Sequence, residues 1–165
     1  TIYKVGQRQK KDQKFSFHKT NVRKYFDSTK TLYIISTMDL INTHPIKKSD
    51  LGFHGNLFGG KLMAWIDAAA AAYAMEVCHN RRMVTVCIDK CIFKKPAKEG
   101  MLLKIYAGVD KIGITSINLY VEARSFNVYT HEEEVVLSTN ITFVRIDEDG
   151  NPIPISDKVR NHFEK

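Results

Sequence analysis

No apolar run in the chain exceeds eight residues, the stretch 68–75 (AAAAAYAM). A membrane-spanning helix needs about 18 or more, so no span is expected. Cysteine is scarce. Cys78, Cys87 and Cys91 are odd in number and lack metal-ligand spacing. A disulfide scaffold and a zinc ribbon are therefore poor readings, and a reducing compartment is the better one. No internal repeat or low-complexity linker divides the sequence. At 165 residues, one domain is expected, large enough to bury about 70% of its unfolded surface. The 44% hydrophobic and 26% charged composition argues against disorder throughout.

Acidic residues are what the N-terminus lacks. Residues 1–30 hold nine Lys/Arg against two Asp/Glu, a net of +7, whereas residues 31–165 hold sixteen of each. The basic charge thus belongs to an arm, 1–30, and not to the body, 31–165. A nucleic-acid footprint would form a patch on a folded face, so no nucleic-acid partner is expected. A solvated arm is the plain reading; an interaction arm or an organelle address is the other. The arm is Lys-rich, whereas transit peptides are Arg- and Ser-rich. The cytoplasm is the expected compartment, with a mitochondrion or another organelle left open by the arm. The chain begins at Thr1, so further residues are expected before it.

Residues 31–37 (TLYIIST) are β-branched and aromatic and read as a strand. Residues 44–60 read as irregular, with Gly52, Gly55, Gly59 and Gly60 among them. From Lys61 to about His79 the spacing of Leu62, Ile66, Ala69, Tyr73 and Val77 predicts a helix. Five consecutive alanines, Ala68 to Ala72, keep it slim, and apolar character nearly all round predicts burial. Strands follow at 83–93, 102–112, 115–126 and 133–146, with a hairpin around Gly113 and a turn at 147–152. No crossover helices fit between them, so the sheet is antiparallel. The class is α+β: a five-stranded antiparallel sheet wrapped round one long helix.

The densest signal is GNLFGGKLMAWID, residues 55–67. Gly59 and Gly60 precede the helix, where unpaired N–H groups and the macrodipole favour negative charge. Glycine there admits a phosphate or an oxyanion, or simply a tight turn. Asp67 lies in an apolar helix, where a carboxylate needs partners; it is either a structural acceptor or a general base or nucleophile facing a cleft. Asn56 suits a turn, or orients a water or polarises a carbonyl. His54 is a lone loop histidine, more in keeping with exposure than with general-base work. Cys87 and Cys91 alternate on a strand and are expected in the core, with no paired histidine to make either a nucleophile.

The motif at 55–67, with VTVCIDKCIFKKPAKEG at 84–100, resembles the acyl-CoA thioesterase branch of the hotdog-fold superfamily. KIGITSI (111–117) and VRIDEDGNPIPI (144–155) fall where that family has its central hairpin and last strand. The likeness covers about residues 36–156. It implies hydrolysis of acyl-CoA to CoA and a carboxylic acid without metal or cofactor, by a dimer or a trimer of dimers. It implies that Asp67 activates water or attacks directly, that Asn56 of the partner subunit positions water or thioester, and that Gly59 and Gly60 bind the thioester oxygen. Near the hairpin it implies CoA contacts at Gly113, Thr115 and Ser116. Lys94, Lys95, Lys111 and Arg124 are candidate cations for CoA phosphates. Gly52, Phe53 and His54 depart from the family, which often has Asn in place of the glycine and small or aliphatic residues after it. Two rivals are a non-catalytic acyl-CoA-binding hotdog sensor, which would not need Asp67, and a hotdog dehydratase, for which only His54 could serve.

Deleting residues 1–30 is expected to leave cooperative unfolding and turnover nearly intact, because that composition suits solvent and not a core. Binding to heparin, a polyanion, should fall away. Loss of the unfolding transition would show the arm to be part of the fold.

Overall fold

The computed structural model describes residues 38–163. The expected arm and the strand expected at 31–37 lie outside the described residues. Five strands, β1 (Asp39–Pro45), β2 (Met83–Phe93), β3 (Leu102–Ile112), β4 (Ser116–Phe126) and β5 (Glu133–Arg145), form one antiparallel sheet in the order β1-β3-β4-β5-β2. The long helix α1 spans Gly59–Val77, and a short one, α2, spans Asp157–Phe163. No helix among the described residues is long and apolar enough to cross a membrane.

The strand pattern sets the core. Leu103, Ile105 and Ala107 of β3, Ile117, Leu119, Val121 and Ala123 of β4, and Leu137, Ile141 and Phe143 of β5 are all buried. On β3 and β4 they alternate with partly exposed neighbours, the period-two signature of a sheet with one covered face. Against them α1 sets Leu62, Ile66, Ala69, Ala70 and Ala74. Each large aliphatic side chain so buried contributes about 1.5–3 kcal/mol. The three alanines let the helix backbone sit close to the sheet.

Three expectations need correction. β1 (DLINTHP) falls partly in the stretch read as irregular. Asp, Asn and Pro have poor strand propensity; what makes them a strand is pairing with β3 from Asp39↔Ala107 to Pro45↔Leu102. The helix is not buried all round: Lys61, Ala64, Ala68, Ala72 and Glu76 form an exposed stripe. Cys87 and Cys91 are free and exposed, not core, because β2 is an edge strand with ten of its eleven residues exposed. β2 also bulges between Asp89 and Ile92, where Lys90 takes a left-handed φ of 50°, and Thr139 Oγ1 donates to the Asp89 carbonyl at 2.8 Å.

The outer face of the sheet carries a charge network. Arg124 donates to Glu122 at 2.7 and 2.9 Å and to Glu133 at 3.3 Å. Its guanidinium lies 4.5 Å from the Tyr106 ring centroid. Lys104 reaches Glu133 at 2.9 Å, and the Tyr120 hydroxyl donates to Glu122 at 2.8 Å. Burial works against the Glu133 charge, but Lys104, Arg124 and Tyr106 outweigh it and hold that carboxyl below the usual range. Its contribution to stability is therefore present at neutral pH and is lost as pH falls through that depressed value.

Glu122 is only 5% exposed, and Arg124 and Tyr120 are the partners of its carboxylate. Arg124→Met should cost about 3 kcal/mol, the scale of stranding one partner of a buried pair, read by urea unfolding. A loss under about 1 kcal/mol would show that Tyr120 alone satisfies Glu122.

Candidate functional site

The loop ahead of α1 is fixed by its own backbone. Gly52 N–H donates to the Asn56 carbonyl at 2.7 Å, and Gly55 N–H to the Gly52 carbonyl at 3.0 Å. Gly55 has φ 68°, the left-handed geometry that favours glycine. Leu57 N–H reaches the Ala97 carbonyl at 2.8 Å and Phe58 N–H the Asp50 carbonyl at 2.9 Å. Asn56 is thereby held in place, with its Oδ1 buried and without a hydrogen-bond partner. Phe53 is fully exposed at the loop tip, edge-on to His54 at 5.9 Å.

No side chain caps the start of α1, so its first N–H groups remain open. Two rings flank them. A Cβ added at Gly60 would lie 2.6 Å from the Phe58 ring, and one at Gly59 3.4 Å from the Phe93 ring. Asn56, Leu57, Gly59 and Phe93 line a cleft of about 330 Å³ with Lys94 and Lys95 among its other walls. Lys95 pairs with Glu134; among the described residues Lys94 has no ion pair.

Asp67 stands elsewhere. It lies eight residues beyond Gly59, about 12 Å along the helix axis. It is half-buried and accepts a hydrogen bond from Thr85 Oγ1 of β2 at 2.8 Å. One turn earlier, Met63 Sδ meets Cys91 Sγ at 3.5 Å. Helix and edge strand therefore run in opposite directions, Gly59 beside Phe93 and Asp67 beside Thr85. Thr85 carries no signal in the sequence, where it is one polar residue in VTV; only the packing of β2 on α1 aims it at the carboxylate.

The remaining candidates divide in the same way. Gly113 N–H donates to the Ser116 carbonyl, and Arg145 N–H to the Thr115 carbonyl, both at 2.8 Å. Ser116 pairs with Val144, which pairs with Val84 of β2. The hairpin end, with exposed Lys111, thus belongs to the Asp67 end of the sheet. Arg124 is no free cation, being committed to Glu122 and Glu133. Within one chain, then, Asp67 and Thr85 are not brought together with Asn56, Gly59 and Gly60.

Thiol chemistry is disfavoured. Burial pushes the Cys78 thiol up to about 11, and partial desolvation where its sulfur packs on Met63 raises that of the otherwise exposed Cys91; both lower thiolate content at neutral pH. No group of three or more metal-ligating side chains occurs among the described residues.

A long helix cradled by a five-stranded antiparallel sheet is the hotdog arrangement. The profile of the thioesterase superfamily matches residues 54–130. The chain is 33% identical to YkhA of Bacillus subtilis, an uncharacterized acyl-CoA thioester hydrolase, over 70% of this chain and 67% of that protein. It is 31% identical to the acyl-CoA thioester hydrolase YciA of Salmonella typhimurium over 65% of this chain and 82% of that protein. A hexameric hotdog-fold thioesterase of Campylobacter jejuni superposes with a TM-score of 0.67 at 32% identity, covering 74% of this chain and 94% of that one. The chain belongs to the acyl-CoA thioester hydrolase family of the hotdog-fold thioesterases.

Gly60→Ala separates the two roles of the glycine pair. The atom that a Cβ would strike is the far end of the exposed Phe58 ring, which can swing away, and alanine gains helix propensity. Unfolding free energy should stay within about 1 kcal/mol of wild type. A loss of about 3 kcal/mol or more would mean that the turn needs glycine for packing.

Proposed function

We propose that the chain hydrolyses acyl-CoA at a site shared between two subunits, Asp67 supplied by one and Asn56, Gly59 and Gly60 by the other. The observation that carries this reading is the separation of the two half-sites along β2, an edge strand left almost wholly exposed. An exposed edge is a template for self-pairing. Antiparallel pairing about its midpoint, Ile88, sets Thr85 opposite Cys91 of the partner subunit. Asp67 then faces the end of the partner at which Phe93, Gly59 and Asn56 of the partner subunit stand. Val84, Val86, Ile88, Ile92 and Phe93, together with the Ala64, Ala68 and Ala72 stripe, supply apolar surface for that contact. The hexameric Campylobacter jejuni structure supports a further step to three such dimers.

In this arrangement the thioester carbonyl lies at the open N–H groups of Gly59 and Gly60, which stabilise the oxyanion as it forms. Thr85 holds Asp67 in one orientation. Asp67 either takes a proton from the attacking water or attacks the carbonyl itself. On the first route the C–O bond to water forms, the C–S bond breaks, and the proton held by Asp67 passes to the departing CoA sulfur. On the second the C–S bond breaks as a mixed anhydride with Asp67 forms, and the CoA thiolate leaves; water then cleaves the anhydride, releasing the acid and restoring the carboxylate. Asn56 Oδ1, an acceptor without a donor, suits the attacking water. Lys94 and Lys111, with Gly113, Thr115 and Ser116, are the groups left for CoA. The reaction so read uses no metal or cofactor. Three free thiols suit a reducing compartment such as the cytoplasm.

Complementation tests the shared site. Asp67→Ala should lower the chemical step by about 10²-fold or more, the scale of losing a general base, and Asn56→Ala should also be impaired. Co-refolding the two variants makes half the dimers mixed, and each mixed dimer has one intact site of two. Activity should return to about a quarter of wild type per site. No recovery with verified mixed dimers would rule out sharing, and full turnover by folded Asp67→Ala would rule out the role of Asp67.

A further inference from the structure

The cleft beside the helix start changes character with depth. Its mouth carries Asn56, Gly59 and Lys94; its floor is Leu62, Ala97 and Val136, each only 2% exposed. The Phe93 ring forms one wall. A ligand segment that fills the floor must therefore be apolar. The pantetheine arm of CoA carries two amides, each of which would need a partner on leaving water. Among the described residues this cleft offers one buried unpaired side-chain atom, Asn56 Oδ1. An alkyl chain needs none.

We infer that this cleft takes the acyl chain of the substrate, and that Leu62, Ala97 and Val136 close it so as to favour short and medium chains. The inference rests on the reading above in placing the thioester at Asn56 and Gly59. The volume of about 330 Å³, at roughly 30 Å³ for each group the size of a water, holds about ten chain atoms. A longer chain has to leave its end in water or displace side chains that are packed into the core. The floor residues come from three separate elements: Leu62 from α1, Val136 from β5, and Ala97 from the loop before β3. Depth is thus set by how closely α1 approaches the sheet, and a single shortened side chain extends it.

Thiol release measured on saturated acyl-CoAs from butanoyl to hexadecanoyl tests this. Wild type should show its highest kcat/KM at decanoyl or below, and about tenfold less at hexadecanoyl. Leu62→Ala should move the optimum to longer chains, and Val136→Ala, a smaller excision that spares the helix, should move it the same way. Inhibition by free CoA should be unchanged in both. A wild-type profile still rising to hexadecanoyl overturns the inference without any variant having to fold. So does an unmoved profile in folded Val136→Ala, or a loss of affinity for free CoA that matches the loss for every acyl length, which would give the cleft to pantetheine. Absence of hydrolysis at every length would instead remove the hydrolase reading, and this inference with it.

Discussion

The structure depends on how α1 is held between the two edges of its sheet. On one side His44 of β1 stacks on Trp65, with ring centroids 4.4 Å apart, and the Tyr73 hydroxyl donates to Asp39 at 2.7 Å. On the other, Thr85 and Cys91 of β2 meet Asp67 and Met63. Between these contacts Ala69, Ala70 and Ala74 lie buried against the sheet. Small side chains there allow the helix backbone to sink between the strands, so that both edge strands reach the helix flanks. A bulkier residue at Ala70 would lift α1 and break its links to the edges together, since cores have no spare volume.

That placement decides where the chemistry falls. The helix start is left without a side-chain cap because its N-cap residue is Phe58, whose ring offers no acceptor oxygen. The open N–H groups and the unpaired Asn56 Oδ1 are local costs. Functional sites hold such unsatisfied groups where a ligand completes them. The same placement puts Asp67 a long way down the helix, against an edge strand that still has hydrogen-bonding capacity to offer.

Charge is distributed on a different principle. On the outer face of the sheet, Arg124, Lys104, Glu122, Glu133 and two tyrosines satisfy one another. Such a closed network resists disruption because stranding any member leaves a poorly solvated charge. It also removes Arg124 from the cations available to a phosphate. Lys94, by contrast, has no carboxylate within reach among the described residues. It is left free where the cleft opens.

The helix, β2 through β5 and the antiparallel character of the sheet are legible along the chain, because helical spacing, β-branched runs and short connections are local patterns. The sequence also marked Asp67, Asn56 and the glycine pair as chemically unusual, since polar and glycine residues in an apolar frame call for a reason. Contacts between distant segments settle the remainder. β1 is a strand through pairing with β3, not through propensity. Cys87 and Cys91 look like core residues in one dimension, yet lie exposed because the sheet order puts β2 at an edge. Arg124 looks like a free cation until its register beside Glu122 and Glu133 is known. Thr85 becomes a partner of Asp67 only when β2 lies against α1. In each case the deciding contact joins residues far apart in the chain, and local pattern carries no record of such a contact.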